Sequence, residues 1–102
     1  MEMILTGDPI RAREAESAGL VARVTQDDLV VDDALDLAAK IATKSPIALR
    51  LAKEAVNGAY EMGLTDALAH ERRLFYLLFA SEDQKEGMAA FLEKRSPDFT
   101  GR

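Results

Sequence analysis

The chain has 102 residues and a formal net charge of −5, with one histidine and no cysteine. This composition excludes disulfides, thiolate or multi-histidine metal sites and a cysteine nucleophile, and its acidity argues against nucleic acid as a partner. No apolar run approaches the roughly 20 residues of a membrane span, and residues 1–7 are too short and acidic for a signal peptide, so we expect a cytoplasmic protein with no membrane partner.

The first 43 residues predict helices separated by short loops. Residues 1–5 read as the last turns of a helix that Gly7 ends, and residues 11–18 predict a short charged helix. Residues 20–25 are rich in β-branched side chains and predict a short extended piece. Apolar residues recur at helical spacing over residues 28–43, which predicts an amphipathic helix.

The remaining residues predict three more helices, each opened by a hydroxyl side chain. Ser45, Thr65 and Ser81 are the expected N-caps, and Pro46 suits the first helical position. The helices are expected to end near residues 63, 80 and 95. The whole pattern predicts a mostly α chain of about five short helices with essentially no sheet.

Residues 74–80 are apolar on all sides of their predicted helix. A peripheral helix in a small bundle needs only one apolar stripe, so this segment needs burial on several sides. An interface with another subunit or domain is the favoured explanation. The alternative is that this helix is the central one of the bundle.

The sequence contains no convincing catalytic group. Nucleophile, phosphate-loop and metal-binding motifs are absent. His70 lies beside Glu71, but adjacent helix positions point in different directions, which favours a solvated histidine over a general base. The acidic pairs lie near helix starts, where the helix dipole is a sufficient explanation for them.

The last predicted helix offers a binding feature instead. Phe91, Lys94 and Arg95 share one face, and an aromatic ring beside a cation suits an adenine ring and an adjacent phosphate. Spacing alone favours the plainer interpretation, in which Phe91 is a core residue and Lys94 is solvated.

Six segments, taken in order and spacing, resemble the C-terminal part of the enoyl-CoA hydratases of the crotonase superfamily. The resemblance covers essentially the whole chain, and its most specific element is the run from Glu82 to Phe99. Arg11 departs from the pattern, because many relatives have a capping Ser, Thr or Asp there. The matching segments are MEMILTG at 1–7, GLV at 19–21, KSP at 44–46, LAKEAVN at 51–57, ERRLF at 71–75, and ED, EGM, AF and EKR between 82 and 95.

The resemblance implies a crotonase-like α/β spiral fold whose N-terminal core is absent from this chain. Residues 1–43 would be the end of that core with connecting helices, and residues 44–102 the C-terminal helical region for trimerisation and CoA covering. The family hydrates trans-2-enoyl-CoA to 3-hydroxyacyl-CoA in fatty acid β-oxidation, using two glutamates and an oxyanion hole of the core. No residue here matches those groups, so we assign no catalytic residue and expect the chain alone to be inactive.

The resemblance also implies a binding role for Phe75, Phe91 and Lys94. These positions match the family's CoA contacts. In that match Lys94 would bind the nucleotide phosphates, and the two phenylalanines would form an apolar wall. This implication reverses the plainer interpretation of Phe91 and Lys94. Coenzyme A enters as part of the substrate, no separate cofactor or metal is expected, and the expected partners are acyl-CoA and a homo-oligomer or the missing core.

Two alternatives remain open at the level of the sequence. The chain could belong to an enoyl-CoA isomerase, because the chemistry of the superfamily differs in the missing half. It could instead be a non-enzymatic helical module for oligomerisation or interaction with another subunit.

Overall fold

The computed structural model describes all residues, 1–102, and contains six α-helices and no strand. The mostly α prediction is therefore confirmed, with the short first helix bringing the number to six. Residues 20–25 were expected to be extended, but they form bends and irregular loop without a pairing partner, which corrects that expectation. The helices are α1 (Glu2–Thr6), α2 (Ala12–Ser17), α3 (Val30–Ala42), α4 (Pro46–Gly58), α5 (Leu64–Leu78) and α6 (Glu82–Glu93).

The chain divides into two compact units, Met1–Leu37 and Ala38–Arg102. The division falls inside α3, whereas the sequence placed a functional boundary after residue 43. That assignment of functions to 1–43 and 44–102 stays a prediction.

Polar contacts hold the first unit together, and Ala15 is its one buried residue. The backbone N–H of Arg11 donates to Glu14 Oε2 at 2.9 Å, so the reach-back half of a capping box replaces the missing hydroxyl cap. Further along, Glu16 Oε1 accepts from the N–H of Val24 at 3.1 Å. Gly7 ends α1 in the left-handed conformation at φ 76°, as the sequence predicts.

The first complete helix of the second unit is α4. The sequence predicts its start correctly and its end too late. Ser45 Oγ accepts from the N–H of Ala48 at 3.3 Å, and Pro46 takes the first helical position. The helix ends at Gly58 rather than near residue 63. After Gly58 the chain passes into tight turns, in which the N–H of Tyr60 donates to the carbonyl of Asn57 at 3.2 Å and the N–H of Glu61 donates to the carbonyl of Gly58 at 3.1 Å. The Met62 side chain lies over Gly58.

Helix α5 packs along α4 and begins at Leu64, two residues earlier than a cap at Thr65 would place it. Gly63 is the N-cap residue in extended conformation, and its carbonyl accepts from the N–H of Ala67 at 2.9 Å. Thr65 lies inside the first turn and makes no capping bond, so the prediction that it caps α5 is wrong.

Helix α6 begins at the predicted cap, since Ser81 Oγ accepts from the N–H of Gln84 at 3.1 Å. It ends at Glu93, slightly before the predicted residue 95. The last residues then run back along α6. Phe99 lies over Gly87, and Gly101, at φ 79°, lies against Pro46.

Little apolar surface is buried in either unit. The only buried apolar residues are Ala15, Leu74 and Ala90, and the apolar residues of α3 are all exposed or nearly so. On α5, Leu74 is buried whereas most of the apolar side chains after it are more than half exposed. The alternative that this helix is the centre of a bundle is therefore wrong. None of the six helices combines the length and apolar character needed to cross a membrane.

Candidate functional site

An aromatic cluster lies on the second half of α5. The ring centroids of Phe75 and Phe79 are 5.2 Å apart with a near-perpendicular interplanar angle of 78°, and Tyr76 lies 6.3 Å from Phe75. Edge-to-face packing of this kind stabilises aromatic pairs. Phe75 nevertheless keeps 54% of its surface exposed, so the cluster presents aromatic surface to solvent.

A groove of about 330 Å³ lies between α4, α5, α6 and the returning C-terminal residues. Its surface is almost entirely apolar, and Phe75 of the aromatic cluster forms part of it. A cleft of this size and character is typical of a surface that binds an apolar ligand group or another part of a protein. The lining residues are Ser45, Ala48, Phe75, Leu78, Phe79, Ser81, Asp83, Gln84, Gly87, Met88 and Phe99.

The carboxylate of Asp83 joins three segments of the second unit. It is only 3% exposed. Ser45 Oγ donates to Asp83 Oδ2 at 2.6 Å, from the start of α4. The N–H of Thr100 donates to Asp83 Oδ1 at 2.8 Å, and the N–H of Gly101 lies 3.1 Å from each carboxylate oxygen. A buried carboxylate with this many donors is satisfied rather than reactive.

These hydrogen bonds lower the pKa of Asp83 below its usual value of 3.8, with the Ser45 hydroxyl as the largest cause and the Thr100, Gly101 and Arg102 backbone groups adding to it. Burial acts in the opposite direction and is outweighed. A general acid or base at neutral pH needs a raised carboxyl pKa. Asp83 therefore has a structural role, which agrees with the sequence-based interpretation of the acidic pairs.

A second carboxylate, Glu86, holds the end of α6. Its two oxygens accept from Arg95 Nη1 and Nη2 at 2.5 and 2.9 Å, which is a bidentate ion pair. Glu86 Oε1 also accepts from the N–H of Asp98 at 2.8 Å. These contacts, led by the bond to Arg95, lower the pKa of Glu86 to about 2 and raise the pKa of the Arg95 guanidinium.

Phe91 and Lys94 lie on the last turn of α6 and at its end. Phe91 is 80% exposed, so the interpretation of it as a core residue is wrong. Lys94 is also exposed, and its ammonium takes part in no ion pair, whereas the neighbouring Arg95 pairs with both Glu86 and Glu93. The exposed ring and the unpaired cation are both accessible to an external ligand.

The three residues singled out by sequence therefore fall in two places. Phe75 lies in the groove, and Phe91 and Lys94 lie at the C-terminal end of α6, outside the groove lining. Sequence reasoning missed the roles of Asp83 and Glu86. Their partners lie 9 to 38 positions away in the chain, so no local motif could have indicated them.

His70 is not fully solvated. Its side chain is partly buried against α4, with Nε2 at 3.7 Å from Glu54 Oε1 and Gly58 beneath the ring. Glu71, its neighbour in sequence, has no part in this contact. The histidine packs α5 onto α4.

Comparison with known proteins identifies the family. The sequence model of the enoyl-CoA hydratase/isomerase family matches residues 1–102. The chain is 53% identical over 102 residues to a Mycobacterium bovis protein named "Probable enoyl-CoA hydratase", covering 100% of this chain and 40% of that protein. It is 50% identical over 101 residues to the 2,3-dehydroadipyl-CoA hydratase of Escherichia coli, covering 99% of this chain and 40% of that protein.

A solved structure agrees with this assignment. The fold superposes on an enoyl-CoA hydratase from Bacillus anthracis with a TM-score of 0.94 and 40% sequence identity, covering 99% of this chain and 39% of that chain. The expected resemblance to the C-terminal segment of the crotonase family is confirmed. The chain spans about 40% of the length of the curated relatives it matches.

Proposed function

Because the chain belongs to the enoyl-CoA hydratase/isomerase family, we propose that it is the C-terminal part of an enoyl-CoA hydratase and contributes subunit contacts and part of an acyl-CoA site. The whole enzyme would add water across the double bond of a trans-2-enoyl-CoA and form a 3-hydroxyacyl-CoA. The match over residues 1–102 carries this proposal, and the names of the relatives at 50% identity and above favour hydratase over isomerase.

Within this proposal, Phe91 and Lys94 contact the nucleotide end of coenzyme A. The exposed Phe91 ring offers a face for stacking against adenine, and the unpaired Lys94 ammonium offers charge for a phosphate. Phe75 contributes apolar wall to the groove between the helices. The exposure of these side chains supports their availability to a ligand.

The chain is proposed to lack catalysis of its own. Asp83 and Glu86 have lowered pKa values and hydrogen bonds to neighbouring segments, so neither is suited to exchange protons at neutral pH. Because no residue of this chain matches the family's catalytic groups, we assign the catalytic glutamates to the part of the relatives that this chain does not match. Purified chain should not hydrate crotonyl-CoA, and turnover that persists through repurification would contradict this assignment.

The CoA contacts are tested by calorimetric titration of the chain with coenzyme A. Lys94→Ala should weaken binding by about tenfold or more, because a hydrogen bond to a charged group contributes roughly 1.5–3 kcal/mol. Lys85→Ala is the matched control, since Lys85 is an exposed lysine of the same helix and the change in net charge is the same. Equal losses in both variants would mean that coenzyme A responds to general charge, and the contact at Lys94 would be refuted.

Phe91 is tested in the same titration. Phe91→Ala should weaken binding by removing the stacking surface, whereas Leu92→Ala removes a similarly exposed apolar side chain beside it and should have little effect. Indistinguishable affinities for the two variants would remove Phe91 from the proposed site.

A further inference from the structure

Lys94 has a backbone conformation that is unusual for its residue type. It is the only residue other than glycine with a positive φ, at φ 55° and ψ 38°, which is the left-handed region. Glycine is the usual residue at this position after a helix, because a Cβ in this conformation crowds the following carbonyl oxygen. Lys94 therefore has a backbone conformation that glycine adopts at lower energy, so other contacts must stabilise the turn.

Those contacts come from the residues that follow Lys94. The N–H of Arg95 donates to the carbonyl of Ala90 at 3.0 Å. The Arg95 side chain then reaches back along α6 to the bidentate pair with Glu86, and the same carboxylate accepts from the N–H of Asp98. Glu86 therefore anchors the chain at two points just after Lys94.

The same ion pairs decide which cation is free. Arg95 Nε donates to Glu93 Oε2 at 2.6 Å, so Arg95 occupies both Glu86 and Glu93. Lys94, which lies between Glu93 and Arg95 in the chain, is left with no carboxylate partner. The low pKa of Glu86 keeps this arrangement ionised throughout the neutral range.

We infer that Glu86 is a positioning residue for anion binding by Lys94. By anchoring Arg95 it holds Lys94 in the left-handed turn, and Arg95 in turn keeps the nearby carboxylates away from the Lys94 ammonium. This inference rests on the proposed function, in which Lys94 contacts a phosphate of coenzyme A.

The experiment compares the affinity for coenzyme A of the unmodified chain, Glu86→Gln and Glu82→Gln. Both variants change the net charge from −5 to −4, so electrostatics alone would make both bind the anionic ligand more tightly. Glu82 lies on the same helix, and its carboxylate is 3.8 Å from Arg102 Nε. We expect Glu86→Gln to weaken binding by about tenfold, or about 1.4 kcal/mol, and Glu82→Gln to leave it unchanged or slightly tighter.

A double-mutant cycle separates positioning from a general effect on the fold. In a Lys94→Ala background, Glu86→Gln should cause no further loss of affinity, whereas additive losses would mean that Glu86 does not act through Lys94. Arg95→Lys is the second variant, because it keeps the charge but cannot form the bidentate pair. Arg95→Lys should weaken binding as Glu86→Gln does. Far-UV circular dichroism identifies a variant that loses helix, and the affinity of the other variant then tests the positioning role.

The two proposals fail in different ways. If Lys94→Ala weakens binding while Glu86→Gln and Arg95→Lys bind normally, the positioning role is wrong and the contact at Lys94 stands. If Lys94→Ala binds as the unmodified chain does, or if the chain binds no coenzyme A, the contact at Lys94 and the positioning role are both wrong.

Discussion

Two carboxylates of α6 bind the returning C-terminal residues 98–101. Asp83 and Glu86 lie one turn apart on α6, and each accepts hydrogen bonds from backbone N–H groups of the returning C-terminal residues. Charged acceptors make stronger hydrogen bonds than neutral ones. The returning segment is therefore held by charge as well as by the contact of Phe99 with Gly87.

This dependence on charge predicts a loss of stability in acid. Both carboxyls have a folded pKa below the ordinary value, so the stability they contribute is present above that ordinary value and is lost as the pH falls toward the folded pKa. For Glu86 the window runs from 4.5 down to about 2. The melting temperature, followed by circular dichroism at a series of pH values, should fall across this window.

The variants Asp83→Asn and Glu86→Gln provide the control for that series. Each should melt at a lower temperature near neutral pH and show a shallower fall in acid, because the titrating group has been removed. An acid profile parallel to that of the unmodified chain would show that the two carboxylates do not cause the loss.

At the scale of the helices, the caps differ in ways that the sequence could not distinguish. Ser81 and Thr65 each precede a helical pattern, yet only Ser81 makes the capping bond to the backbone, and its hydroxyl also donates to the carbonyl of Leu78 at 2.6 Å. Thr65 lies in the first turn of α5, because the glycine before Leu64 already adopts the extended conformation of a cap.

Substitution of the two hydroxyl residues tests this difference. Ser81→Ala should lower the free energy of unfolding by about 1 kcal/mol, the usual cost of a lost N-cap. Thr65→Ala should change it by less than about 0.5 kcal/mol, as an exposed surface substitution does. Urea unfolding followed by circular dichroism measures both, and equal costs would mean that Thr65 caps α5 after all.

Local patterns predicted the existence of the helices well and their ends less well. Three predictions depend only on residues close together in the chain, and the structure confirms the element that each predicts. They are the helix over residues 28–43, the helix start at Ser45-Pro46 and the helix end at Gly7. The end of α4 at Gly58 was not predicted, because the chain passes there into tight turns that the helical spacing of the apolar residues does not distinguish from helix.

The candidate site also contains residues that the sequence indicates and contacts that it does not. Phe91 and Lys94 came from a family resemblance, while spacing alone favoured burying the ring. The parts built from distant residues, Asp83 with Ser45 and Glu86 with Arg95, could not be predicted, because hydrogen bonds between segments leave no periodic trace in the sequence.

At the scale of the whole chain, the main feature is how much apolar surface it leaves uncovered. Each unit has very few buried apolar residues, and large apolar side chains on every helix except α2 remain exposed. Exposed apolar area on this scale marks surfaces that associate. The chain spans about 40% of the length of its curated relatives, which carry further residues that this comparison does not match.

We therefore expect the chain to self-associate in solution. Its sedimentation coefficient should rise with protein concentration in the micromolar range, because association hides apolar surface from water. Leu77→Lys, which places a charge on the exposed face of α5, should reduce this dependence. Thr65→Lys adds the same charge elsewhere on α5 and should not. A sedimentation coefficient that is independent of concentration would contradict the expectation.

The carboxylate of Asp83 also has a consequence for how the second unit opens. Near the start of α6, it accepts hydrogen bonds from Ser45 at the start of α4, 38 positions earlier in the chain, and from the backbone N–H groups of residues 100–101, 17 to 18 positions later. Freeing either partner removes a donor from a buried charge, which weakens the hold on the other. Amide protons at all three places should therefore exchange with solvent in one cooperative event, as a single subglobal unfolding unit rather than by independent fraying.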